Sequence, residues 1–191
     1  MKSYDYAHRS GVRYLTWDDF ARLAARLAEL LEPCNPQVIL GVARAGLFPA
    51  TLVACSLRRE FFPIRLTRRV DDVVTYDKPL WKIPVPPEVA GKIVVVVDEI
   101  ADTGQTLSMV AACALELEAS QVVTASLVSH SWAEPASQVT ALVSDEFIVF
   151  PWDQRVLSNG RWVAHPEVEA GLNAQSNSPA SNPPGADKPK G

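Results

Sequence analysis

Residues 94–107 read Val-Val-Val-Val-Asp-Glu-Ile-Ala-Asp-Thr-Gly-Gln-Thr-Leu, and this segment is the clearest indication of the fold in the 191-residue chain. Its valines show no polar alternation, which is typical of a strand buried on both faces of a parallel sheet. We predict a strand from Lys92 to Asp98, a short loop, and a helix that begins near Gln105. In open α/β sheets ligands bind at the carboxyl edge of the strands. The loop after this strand is therefore the first candidate for a functional site.

The loop combines groups that bind phosphate with groups that bind sugar hydroxyls. Asp102 to Thr106 presents backbone N–H groups at a helix N-terminus, where the partial positive charge favours an anion. Gly104 permits a close backbone approach. Asp98 and Glu99 can accept hydrogen bonds from hydroxyls and can hold Mg²⁺ directly or through water. The pattern predicts a sugar-phosphate site, while the plainer interpretation is a capped helix beside two solvated acids.

The rest of the chain alternates predicted helices and strands. Thr16-Trp-Asp-Asp19 resembles a capping box, and Pro33 ends the helix that it opens. The apolar face of this helix is predicted to consist of Phe20, Leu23, Leu27, Leu30 and Leu31. The next elements are a strand at Gln37–Val42, a tight loop at Ala43–Gly46, a helix at Leu47–Leu57 and a strand at Pro63–Thr67. Further elements are a helix at Gln105–Glu118 and strands at Gln121–Val128, Val139–Val143 and Phe147–Phe150. This alternation predicts an α/β fold with a central, mostly parallel sheet.

Composition limits the possible classes of protein. The length suits one domain, and the net charge of −4 gives no general attraction for nucleic acid or membrane. No apolar run reaches the roughly 18 residues that span a bilayer, and the start lacks the apolar stretch of a secretory signal. Of three cysteines without metal-ligand spacing, Cys55 and Cys113 are predicted to be reduced core residues. A cytoplasmic protein is expected.

Two segments have the composition of loops. Arg68 to Ala90 holds four prolines, and a loop of this length inside a domain is usually a functional lid or disordered. The residues after Gly171 have almost nothing to bury, so residues 172–191 are predicted to be a disordered tail. One domain is therefore expected over residues 1–171.

The stretch Val94–Leu107 resembles the motif that binds phosphoribosyl pyrophosphate (PRPP) in type I phosphoribosyltransferases. The shared pattern is four apolar residues, two acids, an apolar residue and a loop that ends Thr-Gly-x-Thr. Three further segments resemble the xanthine-guanine and hypoxanthine-guanine branch of that family. They are Leu15–Asp18 at the start of the first helix, Gly41–Pro49 at the pyrophosphate loop, and Phe147–Asp153 at the base-binding strand and turn.

The resemblance implies the family's α/β fold with a small hood, and an enzyme that joins the ribose 5-phosphate of PRPP to a purine base. It favours a 6-oxopurine and implies Mg²⁺ as cofactor, PRPP and a nucleobase as partners, and a homo-oligomer. The residues that it assigns to PRPP binding are Asp98, Glu99, Ala101, Asp102, Thr103, Gly104, Gln105 and Thr106. Asp102 would be the catalytic residue, either as general base or as partner for the proton at N7 of the base.

The remaining assignments also follow from the resemblance. Pyrophosphate would be bound by Arg44, Ala45, Gly46, Arg68 and Arg69, with a cis peptide at Arg44–Ala45 left open. Phe147 would stack on the base, and the backbone of Ile148 would contact its exocyclic groups. The metal would be held near Asp98, Glu99 and Asp153. Thr67–Lys78 resembles the family's mobile lid, which would exclude water from a ribosyl cation.

The chain departs from the family pattern at three points. The pyrophosphate loop usually reads Arg-Gly-Gly, and here Ala45 replaces the first glycine. Phe147 replaces a tryptophan. A lysine that donates to O6 of the base is missing, which leaves Ser129 and His130 as candidate donors. A non-purine base therefore stays an alternative, as does a regulatory protein of the same fold that binds PRPP or nucleotides and acts on RNA or DNA, against which the acidic charge counts.

Overall fold

The computed structural model describes residues 9–67, 69–70, 73–74 and 80–176, with the backbone alone at 69–70 and 73–74. These residues form two compact units. The larger is Ala21–Ser144, and the smaller is Met1–Phe20 with Asp145–Gly191, as far as they are described. In the part of the chain that is described, no helix combines the length and the apolar character that crossing a membrane requires. A single domain over residues 1–171 stays a prediction.

Twelve strands and four α-helices make up the described residues. The strands are β1 (Val12–Tyr14), β2 (Val38–Val42), β3 (Glu60–Thr67), β4 (Arg69–Val70), β5 (Val73–Val74), β6 (Leu80–Ile83), β7 (Ile93–Ala101), β8 (Gln121–Ser129), β9 (Val139–Val143), β10 (Phe147–Val149), β11 (Arg155–Ser158) and β12 (Arg161–Ala164). The helices are α1 (Trp17–Leu31), α2 (Leu47–Leu57), α3 (Gln105–Glu116) and α4 (Pro166–Ser176).

The larger unit is built on a six-stranded sheet in the order β6-β3-β2-β7-β8-β9. All neighbours pair in parallel except β6, which runs antiparallel to β3. The chain leaves β2 for β3 on one side and β7 for β8 on the other, so the strand order reverses between β2 and β7. Such a reversal opens a crevice at the carboxyl ends of the two strands, where ligands bind in sheets of this kind. The predicted α/β class with a mostly parallel sheet is confirmed.

Strand β7 is buried on both faces, as its valines predict. One set of core residues packs Val94 and Val96 against α3 through Leu107, Val110 and Ala114. A second set packs Val95 and Val97 against α1 and α2 through Leu27, Leu31, Ala50 and Val53. Successive side chains thus enter opposite layers. Each fully buried aliphatic side chain contributes about 1.5–3 kcal/mol, which makes β7 the centre of the core.

The predicted capping box begins α1. The backbone N–H of Thr16 donates to Asp19 Oδ2 at 2.9 Å, and the N–H of Asp19 donates to Thr16 Oγ1 at 3.1 Å. The predicted apolar face is wrong at Leu30, which is 42% exposed, whereas Leu27 and Leu31 are fully buried. Leu30 lies at the edge of the apolar stripe, on the side of Leu23, which is only half-buried.

The smaller unit contains structure that the sequence analysis missed. Strand β10 was expected to extend the central sheet, but it pairs in parallel with β1 in a separate two-stranded sheet. Strands β11 and β12 form an antiparallel hairpin. Helix α4 continues to Ser176, so the predicted tail is wrong for residues 172–176. There Gln175 Nε2 donates to the Gly11 carbonyl at 3.0 Å. Residues 177–191 lie outside the described residues.

The predicted long loop from Arg68 to Ala90 contains regular structure. Strand β6 pairs with β3, a short 3₁₀ helix follows at Pro87–Val89, and Val85 and Val89 are buried in the core. Burial of these valines gives the second half of the segment a fixed path, so the loop prediction is wrong there. The lid residues Arg68, Asp71, Asp72, Asp77 and Lys78 lie outside the described residues, as does the side chain of Arg69.

The cysteines follow the prediction in part. All three are free thiols. Cys113 is half-buried against the core layer of α3, and this burial, with the nearby charge of Glu116, raises the pKa of its thiol. Cys55 is exposed, so its predicted core position is wrong. It follows the buried Val53 and Ala54 on a helix that is apolar on every face, where periodicity does not show which side packs.

Candidate functional site

The loop that follows β2 lies against Asp98, which is near the carboxyl end of β7. A Cβ placed on Gly46 would lie 2.7 Å from Asp98 Oδ1 and 2.6 Å from the Val42 carbonyl oxygen. Both distances are shorter than real contacts of a Cβ, so only glycine fits. The β2–α2 loop therefore lies directly against the predicted sugar-binding acid.

Arg44 and Ala45 lead into that close approach. Arg44 is exposed, Ala45 is half-buried and Gly46 is buried, at the end of a loop that opens helix α2. The cis peptide bond of this loop joins Ala43 and Arg44, one residue before the Arg44–Ala45 bond that the sequence analysis left open. The loop thus brings Gly46 against Asp98 and carries an exposed arginine two residues earlier, a composition suited to an anionic ligand.

Asp98 and Glu99 form an acid pair inside the carboxyl end of β7. The strand continues to Ala101, three residues beyond its predicted end. Asp98 is only 8% exposed, Glu99 is half-buried, and the N–H of Glu99 donates to Asp98 Oδ1 at 2.9 Å. Burial raises the pKa of Asp98 well above its usual range, and the charge of Glu99 raises it further. A buried acid pair of this kind favours a bound cation or hydroxyl donors.

The loop after β7 has the form of a phosphate cradle. Gly104 occupies the N-cap of α3 with a φ of +71°, and it makes no side-chain cap to the helix. The first N–H groups of a helix have no partner within the helix and face outward along its axis. Thr103 and Thr106 are half-buried beside them, and Gln105 is exposed. These residues form one turn that follows directly on the acid pair.

Gly104 is also the point where the β8–β9 loop contacts this cradle. A Cβ on Gly104 would lie 1.8 Å from the carbonyl oxygen of Pro135. Gly91 has a similar φ of +69° but open space around the Cβ position. The two glycines therefore differ in steric surroundings while sharing a backbone conformation that other residues adopt at a cost of about 1–2 kcal/mol.

We expect Gly104→Ala to lower the free energy of unfolding more than Gly91→Ala does, and to weaken PRPP binding. The shared φ gives both variants the same strain of about 1–2 kcal/mol, and the contact with Pro135 adds to it in the first alone. Chemical denaturation and calorimetry measure the two effects. Equal destabilisation of both variants would show that the Pro135 contact does not hold the cradle.

Asp102 lies beside a buried histidine. Its side chain is 26% exposed, and His130 Nε2 lies 3.8 Å from Asp102 Oδ1. The N-cap position of α3 is occupied by Gly104 and not by Asp102. The contact with His130 was not among the predictions from the sequence. Ala101 pairs with Ser129 in parallel, and Asp102 and His130 directly follow these two residues. The register of β7 and β8 is therefore the feature that indicates the contact.

The predicted base-binding residues lie in the smaller unit. Phe147 and Ile148 pair with Val12 and Arg13 of β1, and their side chains are 8% and 7% exposed. Asp153 lies in the turn after β10, where its N–H donates to the Phe150 carbonyl at 3.0 Å. The roles of these three residues toward base and metal stay predictions.

An aromatic cluster surrounds that turn. Trp152 stacks on Phe150 with ring centroids 4.8 Å apart, and Phe20 meets it edge-on at 5.4 Å. Aromatic pairs of this geometry contribute about 0.5–1.5 kcal/mol beyond the area that they bury. The Pro-Trp-Asp turn that the resemblance singled out therefore has a packing role of its own.

The acid pair of the larger unit fits a magnesium ion that takes some of its ligands from a substrate. Within the described residues, no group of three or more His, Cys, Asp or Glu side chains could hold a metal. Mg²⁺, however, usually keeps several waters and takes one or two carboxylates together with substrate phosphates. The pair Asp98 and Glu99 supplies that number of carboxylates.

Comparison with known proteins gives a consistent result. The phosphoribosyl transferase domain family matches residues 14–159. A xanthine-guanine phosphoribosyltransferase from Cereibacter sphaeroides is 26% identical in an alignment that covers 76% of this chain and 89% of that protein. The crystal structure of a purine phosphoribosyltransferase from Pyrococcus horikoshii is 32% identical, with a TM-score of 0.68 over 78% of this chain and 98% of the other.

A xanthine-guanine-hypoxanthine phosphoribosyltransferase from Helicobacter pylori shares the fold. Its TM-score is 0.63 at 19% identity, and the similarity covers 76% of this chain and 93% of that one. The resemblance identified from the motif at residues 94–107 is thereby confirmed. The chain belongs to the phosphoribosyltransferase family of enzymes.

Proposed function

We propose that the enzyme transfers the ribose 5-phosphate of PRPP to a purine base, preferably a 6-oxopurine, and releases pyrophosphate. The observation that carries the proposal is the close approach of Gly46, in the loop after β2, to Asp98 of the acid pair in β7, whose carboxyl end leads into the glycine-containing loop at the N-terminus of α3. PRPP has phosphate at both ends of a ribose, and this arrangement offers anion-binding loops on both sides of hydroxyl acceptors. The purine phosphoribosyltransferases among its relatives support the choice of base.

Each part of PRPP has a matching group. Residues 102–106 receive the 5′-phosphate at the N-terminus of α3, where backbone donors point outward. Arg44 and the amides of Ala45 and Gly46 bind the pyrophosphate. Asp98 and Glu99 accept hydrogen bonds from the ribose hydroxyls and would hold Mg²⁺. When the metal is bound, its charge would help to neutralise the departing pyrophosphate.

The reaction then requires mainly that the two reactants are held in position and that the developing charge is stabilised. The bond from C1′ to the pyrophosphate oxygen breaks, the bond from C1′ to a ring nitrogen of the base forms, and the base loses a proton. Asp102 either accepts that proton or holds it at N7. The fixed donors stabilise the charge that leaves with pyrophosphate, and the two reactants are held in one place.

The base is recognised without the lysine of related enzymes. Both candidate donors are already engaged, because Ser129 Oγ donates to the His130 carbonyl at 3.3 Å and His130 Nδ1 contacts the Ser144 carbonyl oxygen. A site with a buried donor rejects the wrong base by leaving a group unpaired. We therefore propose that Phe147 and the backbone of Ile148 recognise the purine with modest selectivity at position 6.

The test measures pyrophosphate release from PRPP and Mg²⁺ with single bases. We expect turnover with hypoxanthine or guanine, lower discrimination against xanthine and adenine than a lysine-bearing relative shows, and no turnover when the metal is chelated. Uracil and orotate should be inactive. Turnover with adenine alone or with a pyrimidine alone would contradict the proposed base. Tight PRPP binding with no turnover on any base would favour the regulatory alternative.

A further inference from the structure

His130 is a buried polar residue that contacts the catalytic loop. It is 3% exposed, and its backbone N–H donates to the Ala101 carbonyl at 3.3 Å. Its ring lies between two oxygen atoms, with Nδ1 2.6 Å from the Ser144 carbonyl oxygen and Nε2 3.8 Å from Asp102 Oδ1. The residue thus joins the end of β9 to the loop that carries Asp102.

The contact with Ser144 determines which ring nitrogen carries hydrogen. A backbone carbonyl only accepts, so Nδ1 must be the donor, and the ring is held by the end of β9. That end is itself fixed, because the Ser144 N–H donates to the Ser129 carbonyl at 3.0 Å. Nε2 therefore faces Asp102, and neutral histidine would direct a lone pair at the carboxylate. A second proton, on Nε2, replaces this repulsion with an ion pair.

A neighbouring aromatic ring also favours the cation. Trp132 stacks on the imidazole with ring centroids 4.5 Å apart and an interplanar angle of 14°. The face of an indole attracts a positive charge. The carbonyl thus fixes a hydrogen at Nδ1, while the carboxylate and the indole are the two neighbours that attract a positive charge on the ring.

We propose that His130 is a positioning residue that orients the carboxylate of Asp102 for proton transfer. The inference rests on the proposed function, in which Asp102 handles the proton of the base. The His130 ring is held at Nδ1 and stacked on one face, so a charge at Nε2 has a fixed position from which to attract Oδ1 of Asp102. The hydrogen bond from the His130 N–H to the Ala101 carbonyl fixes the backbone of the residue before Asp102. Asp102 is then presented in one orientation when the substrate arrives.

Two matched variants separate this role from simple packing. Asparagine places an amide nitrogen near the Nδ1 position, so His130→Asn keeps a donor for Ser144 but loses the group that faces Asp102. Glutamine places its amide nitrogen near the Nε2 position, so His130→Gln keeps a donor for Asp102 and loses the bond to Ser144. Thermal unfolding should therefore show a larger loss of stability in His130→Gln.

Turnover should show the opposite order. We expect His130→Asn to lower kcat by about 10- to 100-fold, the usual effect of a misplaced catalytic group, with the KM for PRPP nearly unchanged. His130→Gln should retain more of the wild-type kcat. If both variants lose kcat only in proportion to their loss of stability, His130 is a packing residue and the inference is wrong.

A double-mutant cycle and a spectrum complete the test. In an Asp102→Asn background, His130→Asn should cause no further loss of kcat, because residues that act as a unit are not additive. A multiplicative loss would overturn the inference. Nitrogen-15 NMR of the unliganded protein should show both ring nitrogens of His130 protonated, and Nε2 deprotonated in Asp102→Asn; an unprotonated Nε2 in the wild type would also overturn it.

The outcomes separate this inference from the proposed function. A wild-type enzyme that is inactive with every base contradicts the proposed function, whatever the NMR spectrum shows. An active wild-type enzyme with an unchanged kcat in His130→Asn contradicts the positioning role alone.

Discussion

Replacing Asp102 with asparagine is expected to lower kcat by roughly 10²–10⁴-fold, the usual contribution of a general acid–base group. An amide has nearly the size of a carboxylate but cannot accept a proton from the base. The phosphate cradle should remain intact, because its donors are the backbone N–H groups of residues 103–106, including Gly104 at the N-cap of α3. The KM for PRPP should therefore stay within about threefold of the wild-type value. Steady-state pyrophosphate release measures both quantities.

The control for Asp102→Asn is a substitution of an acid at the far end of α3, the helix that follows the Asp102 loop. Glu116→Gln removes a charge from the exposed last turn of α3, far along the helix from the cradle, and should leave kcat unchanged. The free energy of unfolding should be close to the wild-type value in both variants. A fall in kcat of less than about threefold in Asp102→Asn would show that the carboxylate takes no part in proton transfer.

The central sheet could be predicted from the sequence because its order follows from local composition. A run of β-branched residues with no polar alternation can be stable only where both faces are covered, and β7 is covered by two core layers. Helix α2 has the predicted bounds Leu47–Leu57, and β9 has the predicted bounds Val139–Val143. The loop motif at residues 98–106 places the candidate site because it lies at the end of the clearest strand.

Structure that depends on distant pairing could not be predicted in the same way. Strand β10 is a short apolar run, and nothing in it distinguishes a partner in the central sheet from β1, which the sequence analysis did not identify. The hairpin of β11 and β12 had a local signal that was overlooked. Asn159 and Gly160 both have positive φ in its turn, and Asn-Gly between two short strands is a strong hairpin pattern.

The candidate site shows the same division between local and distant information. One motif of nine consecutive residues, 98–106, contains Asp98, Glu99 and residues 102–106, so it predicts them all. The contact between His130 and Asp102 depends on the register of two parallel strands, and the contact between Gly104 and Pro135 depends on the path of a loop. Neither the register nor the path is encoded in the composition of a single segment.

Replacing both acids, as in Asp98→Asn/Glu99→Gln, is expected to weaken the binding of PRPP with Mg²⁺ by about 10²-fold or more, since each hydrogen bond to a charged group contributes about 1.5–3 kcal/mol. Calorimetry with PRPP and Mg²⁺ measures the loss. Unchanged affinity would contradict the assignment of the ribose and metal site. The matched control is Glu116→Gln/Glu118→Gln, which removes two exposed acids from the end of α3 and the turn after it.

The same double variant should be at least as stable as the wild type, and its stability should depend less on pH. Burial and the charge of Glu99 raise the pKa of Asp98 in the folded protein, so folding favours the protonated acid. The stability that this proton contributes is present at low pH and is lost as the pH rises through the raised pKa. Asparagine carries no such charge at any pH. The Tm of the variant minus that of the wild type should therefore grow as the pH rises, and a Tm below the wild-type value at neutral pH would show that the acid pair stabilises the unliganded fold instead of opposing it.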